Sequence, residues 1–226
     1  MNWSDGSSGE DFSEVEFSRA RRRMVQEQIA ARGVRNPAVL AAFLKVPRHR
    51  FVPRDWRAQA YRDGPLPIGR GQTISQPYMV AVMTELADVQ PGHKVLEVGT
   101  GSGYQAAILA ELGADVYSVE RIPELAERAR KLLEELGYHV HIKVADGSLG
   151  WPEEAPFDRI IVTAGAPRIP DPLVEQLAEG GRLVIPVDDG FSQILCVADK
   201  TAGGLHVEHH DRCAFVPLIG KYGWDA

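Results

Sequence analysis

The apolar positions of this chain change period as it proceeds, and the changes mark its elements. From Glu14 the spacing is helical: Met24, Val25, Gln28 and Ile29 fall on adjacent turns, and Gly33 is placed to end that helix. A second helix opens with Asn36 as its cap and Pro37 in its first turn, and Val39, Leu40, Phe43 and Leu44 give it an apolar stripe. A third begins at Pro77, with Tyr78, Met79, Val82, Met83 and Leu86 turned inward. From Lys94 short apolar runs alternate with helical segments. KVLEV, DVYSV ending on Glu120, HVHIKVA reaching Asp146, FDRIIVTA and GRLVIPV read as strands. Tyr104 to Leu112, Pro123 to Leu136 and a segment capped by Asp171 through Leu177 read as helices. Such alternation predicts an α/β fold, a doubly wound, mostly parallel sheet with helices on both faces. FSQILCVA and the DRCAFVP region have little helix between them, which predicts antiparallel strands at the C-terminal edge.

Two stretches follow neither period. Residues 1–13 are rich in Ser, Gly and acid and read as a disordered leader. Pro47 to Pro77 is rich in Pro, Gly and Arg, and irregular segments of that length in compact domains usually carry function. A lid closing over a substrate would suit its part from Pro65 to Pro77. The 226 residues, 44% of them hydrophobic, suffice for one domain over 14–226. Its parts are N-terminal helices and a loop (14–90), a ligand-binding core (91–190) and C-terminal strands (191–226). A formal charge of -6 gives no general drive toward nucleic acid. Cys196 and Cys213 suggest no disulfide framework, the N-terminus has no secretory pattern, and no apolar run is long enough to span a bilayer. The chain reads as a cytoplasmic monomer. His139, His141, His206, His209 and His210 match no metal-ligand spacing, and no metal is expected.

The densest chemistry lies at Glu97-Val98-Gly99-Thr100-Gly101-Ser102-Gly103, between a predicted strand and a predicted helix. Glycines there permit a tight turn and a close approach of ligand to backbone. A dinucleotide fingerprint G-x-G-x-x-G would place its third glycine where Tyr104 stands, so a nicotinamide enzyme is disfavoured. An acid before G-x-G-x-G suits a ligand bearing an ammonium better than one bearing a pyrophosphate. Glu120 and the adjoining Arg121 end the next strand, where a carboxylate accepts from ribose hydroxyls. Asp146 and Gly147 follow the third strand, within reach of an adenine amino group. Three acids at three successive strand ends outline one ligand site.

RFVP at Arg50–Pro53, PLPIGRGQTISQPYMVAVMTELA at Pro65–Ala87, the glycine turn, VYSVER, ADGSLGWPEEAPFDRIIVTAGAP and EGGRLVIPV together resemble the protein L-isoaspartyl O-methyltransferases. The likeness runs from about Arg23 to Val216, and GQTISQP is its discriminating piece. The resemblance implies a Rossmann-like S-adenosylmethionine-dependent methyltransferase. Its substrate would be the free α-carboxylate of L-isoaspartyl residues in damaged proteins, and its product an ester that collapses to a succinimide. The resemblance places Ser75 as the catalytic serine. It places Glu97, Val98, Gly99, Thr100, Gly101, Gly103, Glu120, Arg121, Asp146 and Gly147 at S-adenosylmethionine, and Thr73, Ile74, Gln76, Val216, Pro217 and Leu218 at the substrate. The acceptor carboxyl, with a pKa of about 3.5, is almost wholly ionised at neutral pH and needs no base. Ser75 therefore reads as a donor that orients it, and it could also cap the helix at Pro77. The rival readings are a methyltransferase for a small molecule or RNA, and a non-catalytic module binding S-adenosylmethionine and peptide. The tail after Leu218 and the leader carry no transferred function.

Overall fold

The computed structural model describes residues 12–225, so most of the expected leader lies outside the described residues. Phe12 stacks on Phe17 with ring centroids 5.5 Å apart, and Ser13 caps α1 (Glu14–Arg23). The cap is reciprocal: Glu16 N–H donates to Ser13 Oγ, and Ser13 N–H donates to the Glu16 carboxylate. Past Arg23 the helical path widens into a π-turn at Met24–Ile29 and tightens at Ala30–Arg32. It stops at Gly33, whose φ of 108° favours glycine. Asn36 Oδ1 accepts from the amides of Ala38 and Val39 and starts α2 (Pro37–Lys45) as expected. The segment from 47 to 77 is more ordered than its composition predicts. After two short 3-10 turns it forms an antiparallel hairpin of β1 (Leu66–Gly69) and β2 (Gln72–Ile74). Leu66, Ile68 and Ile74 are buried from it, and left-handed residues at Gly69, Arg70 and Gly71 close its turn. The third helix, α3 (Pro77–Ala87), starts at Gln76 without a side-chain cap, so Ser75 does not serve as one.

The other strands are β3 (Lys94–Val98), β4 (Asp115–Glu120), β5 (Val140–Val144), β6 (Phe157–Val162), β7 (Leu177–Asp188), β8 (Gln193–Thr201) and β9 (Gly204–Cys213). They form one sheet in the order β5-β4-β3-β6-β7-β8-β9, parallel through β7 and antiparallel beyond it. Alternation explains why both faces are covered. Val95, Ile161 and Val184 pack with the N-terminal helices, α4 (Tyr104–Glu111) and α5 (Pro123–Glu135). Leu96, Val98, Ile160, Val162, Leu183 and Ile185 pack on the other face with Leu173 of α6 (Asp171–Glu175). Two expectations need correction. Pro170, not Asp171, holds the cap position of α6, and Leu177 already belongs to β7 because Phe157 N–H pairs with the Gln176 carbonyl. The last strand ends at Cys213, since the Gln193 side chain pulls Phe215 out of the ladder by hydrogen bonds to its amide and carbonyl. Among the described residues, no helix is long and apolar enough to cross a membrane.

Candidate active site

The chain builds outward from β3 through β4 to β5, then returns to place β6 against the other side of β3. In open α/β sheets the crevice beyond such a reversal is where ligands bind. Here an open cleft lies there. Val98, Gly99, Gly101, Glu120, Arg121 and Gly147 line it, as do Thr73, Val216, Pro217 and Leu218. A side chain on Gly99 would meet Thr163 Oγ1 at 2.4 Å, and one on Gly147 would meet Val98 at 2.6 Å. Neighbouring side chains thus pack directly against the backbone of both glycines, which any other residue would prevent. Glu120 stands at the end of β4, its carboxylate accepting from the amides of Gly101 (2.8 Å) and Ile122 (2.9 Å). Each oxygen keeps acceptor capacity for a ligand hydroxyl.

A second cavity adjoins the first at the glycine turn and includes Glu97, Thr100, Ile74 and Ser75. Glu97 points to the helical face of β3 and is fully buried. Ser118 Oγ donates to its Oε2, Thr100 and Ser118 hydroxyls are 2.6 Å apart, and Oε1 is buried without a hydrogen bond. Burial pushes the Glu97 carboxyl up to about 8; the Ser118 hydrogen bond opposes this, and neighbouring Glu120 adds to it. An unsatisfied buried oxygen beside a glycine turn fits a cationic group.

Ser75 is the hinge between this interior space and the outside. It lines the second cavity and also a third, open groove with Gln76, Met79, Phe215 and Val216. Its hydroxyl makes no hydrogen bond among the described residues, while its carbonyl accepts from Arg48 Nη2 at 2.7 Å. Thr73 and Thr163 border all three spaces.

Some expected residues stand elsewhere. Gly103 faces α5, where Ala129 and Leu133 would crowd a side chain, and serves as the left-handed cap of α4. Asp146 is engaged within the protein: it accepts from the amide and hydroxyl of Ser148 and from the amide of Lys221. Pro217 and Leu218 wall the first cleft and not the open groove. Backbone bonds between Gly165 and Val216 (2.8 Å) and between Leu218 and Gly165 (2.8 Å) fix them over the end of β6.

The sequence model of the protein-L-isoaspartate(D-aspartate) O-methyltransferases matches residues 19–223. The chain belongs to that family. A protein-L-isoaspartate O-methyltransferase of Geobacter metallireducens is 59% identical over 212 residues, covering 93% of this chain and 98% of its own. A solved protein-L-isoaspartate O-methyltransferase aligns with a TM-score of 0.82 and 30% identity, over 90% of this chain and 67% of that one. One from Plasmodium falciparum, solved with S-adenosyl-L-homocysteine, gives 0.78 and 27%, over 88% and 98%. The Rossmann-like methyltransferase fold that the resemblance implies is therefore that of the protein, and its sheet is the doubly wound one that the strand and helix pattern predicts.

In this isoaspartate methyltransferase several site residues escape a reading of the sequence. Thr163 Oγ1 donates to the carbonyls of Val98 (3.0 Å) and Gly99 (2.7 Å) and so shapes the glycine turn from the neighbouring strand end. Its place directly after FDRIIV was the available signal. Gln105 and Tyr104 line the second cavity, and Phe215 lines both it and the groove. No three His, Cys, Asp or Glu side chains among the described residues are grouped to hold a metal ion.

Proposed function

We propose that the chain transfers a methyl group from S-adenosylmethionine to the free α-carboxylate of L-isoaspartyl residues, with Ser75 orienting that carboxylate. The observation that carries the reading is Ser75 itself: it borders both the cavity at the glycine turn and the groove open to a peptide, with its hydroxyl uncommitted. When bound, the cofactor supplies a methyl carbon made electrophilic by a sulfonium. Gly99, Gly101 and Gly147, with Val98, Thr100 and Arg121, would cradle it. Glu120 would accept from the ribose, and Glu97 would meet the ammonium. Ser75 would hold one oxygen of the acceptor carboxylate toward the methyl group that the bound cofactor supplies, and the products would be a methyl ester and the neutral thioether S-adenosylhomocysteine. Opposite charges vanish in this step, so the apolar lining from Ile74, Phe215 and Val216 favours it over water. Gln76 and Thr73 border the groove where the peptide would lie. Asp146 is left out of this assignment. The reading is completed by a cytoplasmic monomer that acts on damaged proteins and has no nucleic-acid partner.

The test uses labelled cofactor and two peptides of one sequence, one carrying L-isoaspartate and one L-aspartate. Base-labile label on the isoaspartyl peptide alone is expected. Ser75→Ala should lower kcat at least tenfold while S-adenosylhomocysteine still binds. Full activity in that variant would remove Ser75 from the mechanism, and no labelling of either peptide would turn the search to another acceptor.

A further inference from the structure

Arg48 is a fully buried arginine with no ion-pair partner among the described residues. A guanidinium taken from water without a counter-ion is costly, and an aliphatic side chain of similar volume would fill the same space more cheaply. Its contacts suggest why it is there. Nε donates to the carbonyl of Ala60 and Nη2 to that of Ser75, both at 2.7 Å. The guanidinium carbon lies 4.9 Å from the centre of the Tyr104 ring. Ala60 and Ser75 bracket the segment that holds the hairpin. Tyr104 opens α4 directly after the glycine turn and lines the cavity beside it. One rigid fork thus spans the acceptor-side serine and the element that bears the donor site.

We infer that Arg48 is a positioning residue that sets the distance between Ser75 and the methyl donor; this rests on the methyl-transfer reading above. The fork geometry is what matters. Two nitrogens of one planar guanidinium hold two carbonyls far apart in sequence, beside an aromatic ring, which the flexible ammonium of lysine does not reproduce. Burial lowers the guanidinium to about 10, and the nearby tyrosines oppose that shift, so it is charged at neutral pH. A direct ion pair between Arg48 and the acceptor would be counterproductive. The carboxylate loses its charge on methylation, and a touching cation would stabilise the ground state more than the transition state. Placement behind the serine hydroxyl, on the backbone carbonyl of Ser75 itself, avoids this.

The experiment compares wild type with Arg48→Lys, Arg48→Gln and Arg48→Gly, measuring kcat and KM for an isoaspartyl peptide, Kd for S-adenosylhomocysteine and Tm. Wild-type labelling tests the methyl-transfer reading; the differences among variants test the inference. Misplacement by about 1 Å can cost about 100-fold in rate, so kcat is expected to fall roughly 10- to 100-fold in Lys and Gln alike, with Kd little changed. Millimolar guanidinium should restore part of the turnover of Arg48→Gly, and ammonium should not. Full activity in Arg48→Lys, or a lowered Tm with unchanged kcat, would overturn the inference. So would a loss of cofactor affinity as large as the loss of kcat, or rescue by both ions. If Lys and Gln fail to fold, the glycine variant refolded with guanidinium decides.

Discussion

At the scale of single residues, Glu97 concentrates the conflict between folding and function. Its carboxyl sits at about 8 because burial disfavours the charge, against an ordinary value of 4.5. The folded state then binds more protons than the unfolded between these values, so ligand-free stability falls as pH rises from about 4.5 to 8. A bound ammonium reverses the preference and favours the carboxylate. Binding of S-adenosylhomocysteine at pH 7 should therefore release close to one proton, and affinity should rise about fivefold from pH 7 to pH 8. Calorimetry in buffers of different ionisation enthalpy measures both, and Glu97→Gln should abolish both. An affinity independent of pH in wild type would separate Glu97 from the ammonium. In the sequence Glu97 is marked by the glycine turn that follows it, and Glu120 by its place at the end of the next strand. Thr163 is not. Its importance depends on β6 lying beside β3, and that strand order is not written in any local pattern.

Among elements, legibility followed length and burial. Helices α2 and α5 and the strands β3, β4, β6 and β7 announce themselves by caps, periods and continuous apolar runs. The hairpin does not, since strands of four and three residues are too short to show alternation amid Pro and Gly. Most of β9 escapes because it is an exposed edge strand carrying His206, Glu208 and His210. The hairpin, expected as a lid, is tied down. Arg128 of α5 donates to the Ile68 carbonyl, and Arg70 pairs with Glu124 at 2.7 Å. The exposed Arg70 pair adds little, whereas a charge-assisted bond to a backbone carbonyl contributes about 1.5–3 kcal/mol. Arg128→Ala should thus speed amide exchange across Leu66 to Ile74 by roughly 10- to 100-fold and raise KM for the peptide. Unchanged exchange would mean that burial of Leu66, Ile68 and Ile74 alone holds the hairpin.

For the whole molecule, the least expected feature is that the C-terminal segment forms a wall of the cleft beyond β3. After β9 the backbone crosses the end of β6, and Val216 to Ile219 form one wall of the space facing Glu120 and Gly147. The last turn then folds back on itself: Trp224 N–H donates to the Leu218 carbonyl at 2.7 Å, and its indole N–H to the Gly165 carbonyl at 3.0 Å. Asp146 and Ser148 grip it from the other side, accepting from the amides of Lys221 (2.8 Å) and Tyr222 (3.0 Å). The fit is close, for a side chain on Gly220 would collide with Asp146. Thus the acid that the sequence suggests for adenine also braces the segment that walls the cleft. Ending the chain after Leu218 removes these anchors and spares Asp146, Glu120 and the glycine turn. Losing several such bonds at about 0.5–1.5 kcal/mol each should weaken S-adenosylhomocysteine binding about tenfold or more, with a smaller change in the unfolding of the free protein. Asp146→Asn should fall between, because its amide offers a donor where the carboxylate accepts. Equal affinity in the truncated chain would reduce the tail to surface packing. Loss of affinity in Asp146→Asn alone would return the acid to direct contact with the ligand.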